Sequence, residues 1–278
     1  MDLGFIIMFP ELAENRSMIF NPLIVVASEL GLSRPSARAR SNEERKSALI
    51  QAYRRAASSE LGSLIVDGVD DESTAAVAAE GAYTVRTDLG EIDRRHNYRS
   101  NSGAERIAAT VNRFDRFYSH DIVIAVADDV SELKPHYLQA LMYALATTEV
   151  GIATLVSPLG NGKLHDDEGP KASVKWNPDR IIYPLEGSRV GTLLDIRRDQ
   201  NLLQGEDCYE LVPIYAWRRA ALDRVVRTPP SEREFVEGTD LVRALEMGIR
   251  IDAALVTEDM KVLMTPEQLR GEIVDMGH

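Results

Sequence analysis

One short run constrains this chain more than any other. Asp121–Ala127, DIVIAVA, is almost continuous in apolar residues and ends at a pair of carboxylates, Asp128 and Asp129. A run this short, rich in Val and Ile, reads as a buried strand. Similar runs recur along the chain: Leu3–Phe9 (LGFIIMF), Ser63–Val66 (SLIV) and the shorter Thr84–Arg86. Between them, Ser47–Ser58, Thr74–Glu80 and Gly103–Phe114 have helical character. Ile24–Leu32 is apolar and is expected to cover or open a helix, followed by a polar, basic stretch, Ser33–Lys46. Strands alternating with helices predict an α/β fold with a doubly wound, mostly parallel sheet.

The second half changes character. Gly151–Val156, Tyr209–Trp217 and Arg250–Val256 read as strands, and Val174–Trp176 with Arg180–Tyr183 as a hairpin. Ala220–Val226, Thr239–Met247 and Thr265–Val274 read as helices, while Asp88–Ser102 and Ser157–Pro170 read as loops. The 278 residues suffice for one large α/β domain or two small ones. A net charge of −12 argues against a general nucleic-acid binder, which needs a basic face. The single cysteine, Cys208, excludes an intramolecular disulfide and a cysteine-rich zinc site, in keeping with a reducing compartment. No apolar run approaches the roughly 20 residues of a membrane span. The expectation is a soluble cytoplasmic protein.

Three stretches carry potential chemistry. In a nucleotide-binding α/β domain the first strand-to-helix loop holds phosphates, using glycines and cations. With Leu3–Phe9 as first strand, that loop is Pro10–Leu23, which has no Gly or Lys and one cation, Arg16, beside Glu11 and Glu14. Asp128 and Asp129 stand where ligands of open α/β sheets bind and suit a divalent metal such as Mg2+ bridging phosphates; they serve equally as caps of a helix beginning near Ser131 and Pro135. Ser102-Gly103-Ala104-Glu105-Arg106 opens a helix, with Ser102 and Glu105 spaced as a capping box; the same small turn lets a base or ribose approach the backbone. The dense basic run Arg34, Arg38, Arg40, Arg45 and Lys46 reads as a solvated face or loop, or as a reach toward phosphates. The histidines His96, His120, His136, His165 and His278 show no metal-ligand spacing, and Trp176 and Trp217 read as core or rim packing.

Taken together, these stretches resemble the 3-deoxy-manno-octulosonate cytidylyltransferase (CMP-Kdo synthetase) family. SGAERI, Ser102–Ile107, is similar to its Ser-Gly-Thr-Glu-Arg-Ile, and IAVADDVSELKP, Ile124–Pro135, stands in place of its Val-Gln-Gly-Asp-Glu-Pro strand end. IATLVSP (Ile152–Pro158), IYAWRRAAL (Ile214–Leu222), PPS (Pro229–Ser231), DLVRALEMGIRI (Asp240–Ile251) and TPEQL (Thr265–Leu269) follow in the family's order. The resemblance implies one nucleotide-diphospho-sugar transferase (GT-A-like) domain over 1–278. Residues 1–150 would be its nucleotide-binding half and 151–278 its sugar-acid and dimer half, with a smaller mixed β subregion. It implies a nucleoside triphosphate and a sugar-acid-like small molecule as ligands, a homodimer, and Mg2+ as the cofactor of an active member. The implied nucleotide contacts are Arg16, Ser102, Gly103, Glu105 and Arg106; the implied substrate contacts are Lys175 and Tyr215; the implied metal ligands are Asp129 and Asp128.

The departures fall on functional positions. The family's first loop reads Pro-Ala-Arg-x-x-Ser-x-Arg-Leu-Pro-Gly-Lys-Pro-Leu. Laid on Pro10–Leu23, its cations become Leu12, Ser17 and Asn21 and its Gly becomes Phe20. The second metal Asp becomes Met264, with Asp259 nearby, the His before Ile-Gly-Ile-Tyr becomes Leu211, and a further Arg becomes Glu186. At roughly 1.5–3 kcal/mol per charge-assisted contact, losing three cations would weaken triphosphate binding by several kcal/mol. The expectation is a diverged member that is not a standard CTP:Kdo cytidylyltransferase, or a catalytically inactive homologue acting as a binding or regulatory partner.

Overall fold

The computed structural model describes residues 5–7, 18–27, 41–68, 70–87, 103–128, 130, 133–159, 169–182, 187–199 and 208–257. Its first strands, β1 (Phe5–Ile7) and β2 (Met18–Phe20), pair antiparallel with each other and, among the described residues, with no other strand, Phe5 standing opposite Phe20. The main sheet begins later, with β3 (Leu23–Ala27). There follow α1 (Asn42–Ala57), β4 (Ser63–Asp67), α2 (Asp71–Ala79), β5 (Tyr83–Val85), α3 (Gly103–Phe114), β6 (Ile122–Ala127) and α4 (Pro135–Ala144). The second half supplies β7 (Ile152–Pro158), β8 (Lys171–Ile181), β9 (Arg189–Arg197), β10 (Cys208–Arg218), α5 (Arg219–Val226), α6 (Glu232–Glu237), α7 (Leu241–Glu246) and β11 (Ile251–Leu255).

Nine strands form one mixed sheet in the order β5-β4-β3-β6-β10-β7-β11-β9-β8. The block β5-β4-β3-β6 is parallel throughout. From β3 the chain winds outward to β4 and β5, then returns to place β6 on the other side of β3. That reversal creates a switch point between β3 and β6. β10 comes from the second half but lies between β6 and β7, antiparallel to both. The start of β8 turns back to pair with Cys208–Glu210 of β10, so the second-half strands close on themselves. This is the expected α/β architecture, and its sheet runs across both halves of the chain.

Two expectations are corrected. Leu23–Ala27 is a strand, not the opening of a helix. All five residues are buried, since β3 has neighbours on both edges and layers on both faces. A short apolar run has no periodicity to separate strand from helix, and the β-branched Ile24, Val25 and Val26 fit the pleated interior. Val174–Trp176 and Arg180–Tyr183 do not make a hairpin, because Val174, Trp176, Arg180 and Ile181 all lie on β8, whose partner is β9. Asn177-Pro178-Asp179 has turn chemistry, yet here it sits in an irregular stretch between Trp176 and Ile181 where the register with β9 shifts, a place an edge strand gives to proline.

β9 and α6 lie where no element is expected from the sequence; the other described elements fall close to expectation. α1 is capped by a Ser41–Glu44 capping box and buries Leu49, Ala52 and Ala56. α3 has the bounds that the periodicity predicts. The closing helix Thr265–Val274 and the loop Asp88–Ser102 lie outside the described residues. Among the described residues no helix is long and apolar enough to cross a membrane.

Candidate functional site

The parallel register brings Ala27 opposite Ala127 at the carboxyl ends of β3 and β6. The amide of Asp128 then donates to the carbonyl of Ala27 at 3.2 Å, which ties the turn after β6 to the point where the chain leaves β3. Ligands of open α/β sheets bind at such an edge. Asp128 is 9% exposed there. Its neighbour Asp129 lies outside the described residues, as do Asp259 and Met264. Among the described residues no group of three or more His, Cys, Asp or Glu side chains is arranged to hold a metal ion.

This placement overturns the reading of Pro10–Leu23 as the first strand-to-helix loop. Part of that stretch is β2, and it ends at the first residue of β3. Among the described residues the element that follows β3 is α1, capped by Ser41, so the chain leaves the sheet into the segment from Ser28 to Ser41. That segment carries Gly31, Arg34, Arg38 and Arg40. Its residues 28–40 lie outside the described residues, as do Arg16, Leu12 and Ser17. Asn21 is exposed just before β3. Of the basic run, Arg45 and Lys46 are described, both on α1, where Lys46 bridges to Glu72 at 3.2 Å and Glu43 at 3.7 Å.

Helix α3 starts at the same edge, because it descends to feed β6. Gly103 is its first residue, and Ser102 lies outside the described residues. Glu105 and Arg106, expected as nucleotide contacts, are 2% and 4% exposed and are held inside the protein. Arg106 donates Nε to Asp67 Oδ2 at 2.8 Å, and Asp67, at the end of β4, also accepts from Thr110 Oγ1 at 2.8 Å and the amide of Thr87 at 3.1 Å. Glu105 accepts Arg243 with both oxygens, at 2.7 and 3.2 Å. These two residues position the first turn of α3 from opposite sides, one against the sheet and one against α7.

Arg243 gathers further carboxylates. Its Nε lies 2.9 Å from Glu234 Oε2, and its Nη1 also donates to the carbonyl of Thr228 at 2.6 Å. Asp240 accepts the amide of Ala104, so a residue from the second half bonds a free amide in the first turn of α3. Burial pushes Glu234 up to about 8 and Asp240 up to about 6, against the pull of Arg243. Glu105, Arg243, Glu234 and Asp240 form one buried network joining α3 to α6 and α7. No local pattern signals it, since Glu105 lies 138 positions from Arg243.

In the second half, Tyr215 is 5% exposed on β10, between Ala125 of β6 and Thr154 of β7. Leu211, where the resemblance has a histidine, is buried. Pro213 sits in the register break between Val212 and Tyr215, where a missing amide is tolerated. Lys175 is exposed on β8, and strand alternation turns it to the face opposite Trp176. Trp176 donates Nε1 to the Tyr209 hydroxyl at 3.0 Å, and the Arg189 guanidinium lies 4.4 Å over the Trp176 ring. Trp217 is a core residue, and Glu186 lies outside the described residues. His120 is buried between Asp115 and Ser63, both 3.2 Å away, in line with a satisfied core histidine.

No sequence-family model matches the chain. It is 31% identical over 222 residues to the 3-deoxy-manno-octulosonate cytidylyltransferase of Rhodopseudomonas palustris, covering 80% of this chain and 83% of that protein. It is 29% identical over 251 residues to the protein of the same name from Paramagnetospirillum magneticum, covering 89% and 94%. Its fold is similar to that of a solved CMP:2-keto-3-deoxy-manno-octonic acid synthetase complexed with CTP, with a TM-score of 0.62 at 20% identity over 92% of this chain and 98% of the other. A UTP-bound UGPase from Acinetobacter baumannii aligns with a TM-score of 0.52 at 10% identity, over 93% of each chain.

Proposed function

Because the chain belongs to the 3-deoxy-manno-octulosonate cytidylyltransferase family, we propose that it transfers a cytidylyl group from CTP to a sugar acid at the edge where β3 meets β6. The observation that carries this reading is the switch point itself, with Ala27 and Ala127 in register and the Asp128 amide on the Ala27 carbonyl. In the reaction a hydroxyl oxygen of the sugar acid bonds to the α-phosphorus of CTP. The bond to the bridging oxygen breaks, pyrophosphate leaves with the electron pair, and the hydroxyl proton passes to solvent. The protein's part is to orient both substrates and to neutralise phosphate charge.

The strand register also supports a retained phosphate grip. Laid from Ala27 instead of Pro10, the family's first-loop pattern puts Arg34 at its second Arg and Arg38 at its Lys, with Glu29 at its first Arg. Two cations then fall where the earlier alignment left none. Gly103, at the start of α3, is the residue whose missing side chain would let a base or ribose come close. Glu105 and Arg106 act behind it, as the residues that position the turn. The donor set at the end of β6 is hard carboxylate oxygen, which fits Mg2+, an ion that takes one or two carboxylates alongside phosphate oxygens. Asp128 and Asp129 would hold it, and when bound it would neutralise phosphate charge.

Pyrophosphate release with CTP, 3-deoxy-manno-octulosonate and Mg2+ tests the reading. Release dependent on both substrates is expected. No release, together with no CTP binding at millimolar nucleotide, would overturn it. A second reading, a family member without transfer activity, rests on the apolar Leu211 at the family's His position and on Met264 at its second Asp. CTP binding without pyrophosphate release from any sugar acid would favour it. The reading also includes a homodimer through the second half, which light scattering would register as twice the chain mass.

A further inference from the structure

We propose that Arg189 and Tyr209, braced by Trp176, form the subsite that binds the carboxylate of the acidic substrate. The proposal rests on the transfer reading above for its ligand and on local hydrogen-bond chemistry for its residues. β10 runs antiparallel to β6, so its first residues stand at the carboxyl end of β6. β11 runs parallel to β7 and β9 runs antiparallel to β11, with Val190 opposite Ala254, so β9 also begins at that edge. Tyr209 and Arg189 therefore share an edge with Asp128.

Their hydrogen bonds leave a specific vacancy in donor use. A tyrosine hydroxyl has two acceptor lone pairs and one proton to donate. The Tyr209 oxygen accepts from Trp176 Nε1 at 3.0 Å and from Arg189 Nη2 at 3.0 Å, both groups that only donate. Both lone pairs are thus used, and the hydroxyl proton is directed to a third atom. No described residue supplies that acceptor, although Tyr209 is only 8% exposed. Beside the exposed Arg189, that hydroxyl proton is placed to meet an acceptor on a bound ligand.

Arg189 points to the same ligand. Other arginines of the second half are spent on carboxylates: Arg180 and Arg250 on Asp252, Arg233 on Asp195, and Arg197 on Asp195 and Glu237. Arg189 has no ion pair among the described residues, in a chain with 44 acidic and 32 basic side chains. It is exposed, yet its orientation is set by the Trp176 ring beneath it and by Tyr209. Stacking on the ring covers one face of the guanidinium and leaves N–H groups at its edge. A tyrosine O–H beside a guanidinium edge matches the two oxygens of a planar carboxylate. Leu211 and Glu186, where the resemblance has a histidine and an arginine, offer no cation to an anion.

Kinetics at saturating CTP with 3-deoxy-manno-octulosonate and with its carboxyl-reduced analogue test the subsite. Tyr209→Phe removes only the hydroxyl and keeps the ring against Trp176; Arg189→Met removes the charge and keeps an apolar stem. Each is expected to raise KM for the sugar acid at least about tenfold, with a smaller change in kcat. Calorimetric CTP binding should be unchanged, which also reports an intact fold, and Arg189→Lys should recover part of the loss. The reduced analogue should be handled alike by all three proteins. Unchanged KM in both variants, or equal losses for the acid and its reduced analogue, would overturn the subsite. So would an unchanged protein that turns over both compounds equally well, an outcome that leaves the transfer reading standing. Absence of CTP binding and of pyrophosphate release overturns the transfer reading instead. Direct titration of the sugar acid then decides the subsite: weaker binding by both variants supports it, and equal binding overturns it.

Discussion

The backbone amide of Asp128 donates to the carbonyl of Ala27 at 3.2 Å, joining residues a hundred positions apart at one edge of the sheet. This bond places the end of β3, where the chain leaves the sheet, at the candidate site. β2, within Pro10–Leu23, pairs with β1 instead.

That relocation makes a first prediction. Arg34→Ala and Arg38→Ala are each expected to weaken CTP binding by about tenfold or more, from about 1.5–3 kcal/mol per charge-assisted hydrogen bond. Arg16→Ala should leave it unchanged. Calorimetric titration of CTP with Mg2+ compares the three; a loss confined to Arg16→Ala would restore the earlier loop.

The network around Arg243 gives a second. Arg243 is 1% exposed and is the shared cation of Glu105, Glu234 and Asp240. Removing it leaves buried carboxylates without their partner, so Arg243→Met should cost about 3–5 kcal/mol of stability. Urea unfolding measures it, and a loss below about 1 kcal/mol, the level of an exposed pair, would contradict the network's role.

Acidity at the same network gives a third. Burial raises Glu234 to about 8 and Asp240 to about 6. An acid with a higher pKa folded than unfolded holds more protons in the folded state. Its contribution is complete below the unfolded value, about 4, and is lost as pH rises through the folded value. Melting temperature should therefore fall from pH 6 to pH 8, and Glu234→Gln should flatten that slope. A variant that keeps the full slope would assign it to other groups.

Asp67 supports a fourth. It is fully buried at the end of β4 and holds Arg106, Thr110 and the Thr87 amide. Asp67→Ala should destabilise by about 3–5 kcal/mol, because it strands the Arg106 guanidinium. Replacing both residues by leucine should recover much of the loss, since a buried pair is often matched by apolar packing. Chemical denaturation of the single and double variants checks this; a double variant no more stable than Asp67→Ala would refute it.

Gly62 supplies a fifth. A Cβ there would overlap the Pro22 carbonyl oxygen, where the entries to β3 and β4 lie side by side. Gly62→Ala is expected to cost about 1–3 kcal/mol as the backbone shifts. Its melting temperature would show the loss, and an unchanged value would mean that the two strand entries separate freely.

Much of the fold was legible. Ile122–Ala127 and Gly103–Phe114 stood out because a β-branched apolar run and a strong helical stripe leave little choice of local structure. Leu3–Phe9 and Leu23–Ala27 were harder. Both are short apolar runs, and only one has partners on both sides in the main sheet. β8 was misread because Asn177-Pro178-Asp179 has the composition of a turn, and only its pairing with β9 reveals a continuous edge strand. Asp128 and Gly103 are legible as residues at element ends, and the fold puts both ends at one edge of the sheet. Glu105 and Arg106 were found as residues, but their work as internal braces was not, because Arg243 and Asp67 reach them from distant segments. Tyr209 and Arg189 left no local motif at all.

The sequence by itself determined the alternation of elements, the α/β class and the resemblance to a cytidylyltransferase family. Those follow from the order of apolar runs, turns and motifs along the chain. Only the tertiary structure decided which apolar run enters the main sheet first, and hence which strand end meets Asp128. It also decided which charged residues are spent inside the protein. Burial of apolar surface is non-directional and is written into composition, whereas a strand's hydrogen-bond partners and a buried charge's counterion come from parts of the chain that sequence spacing does not bring together.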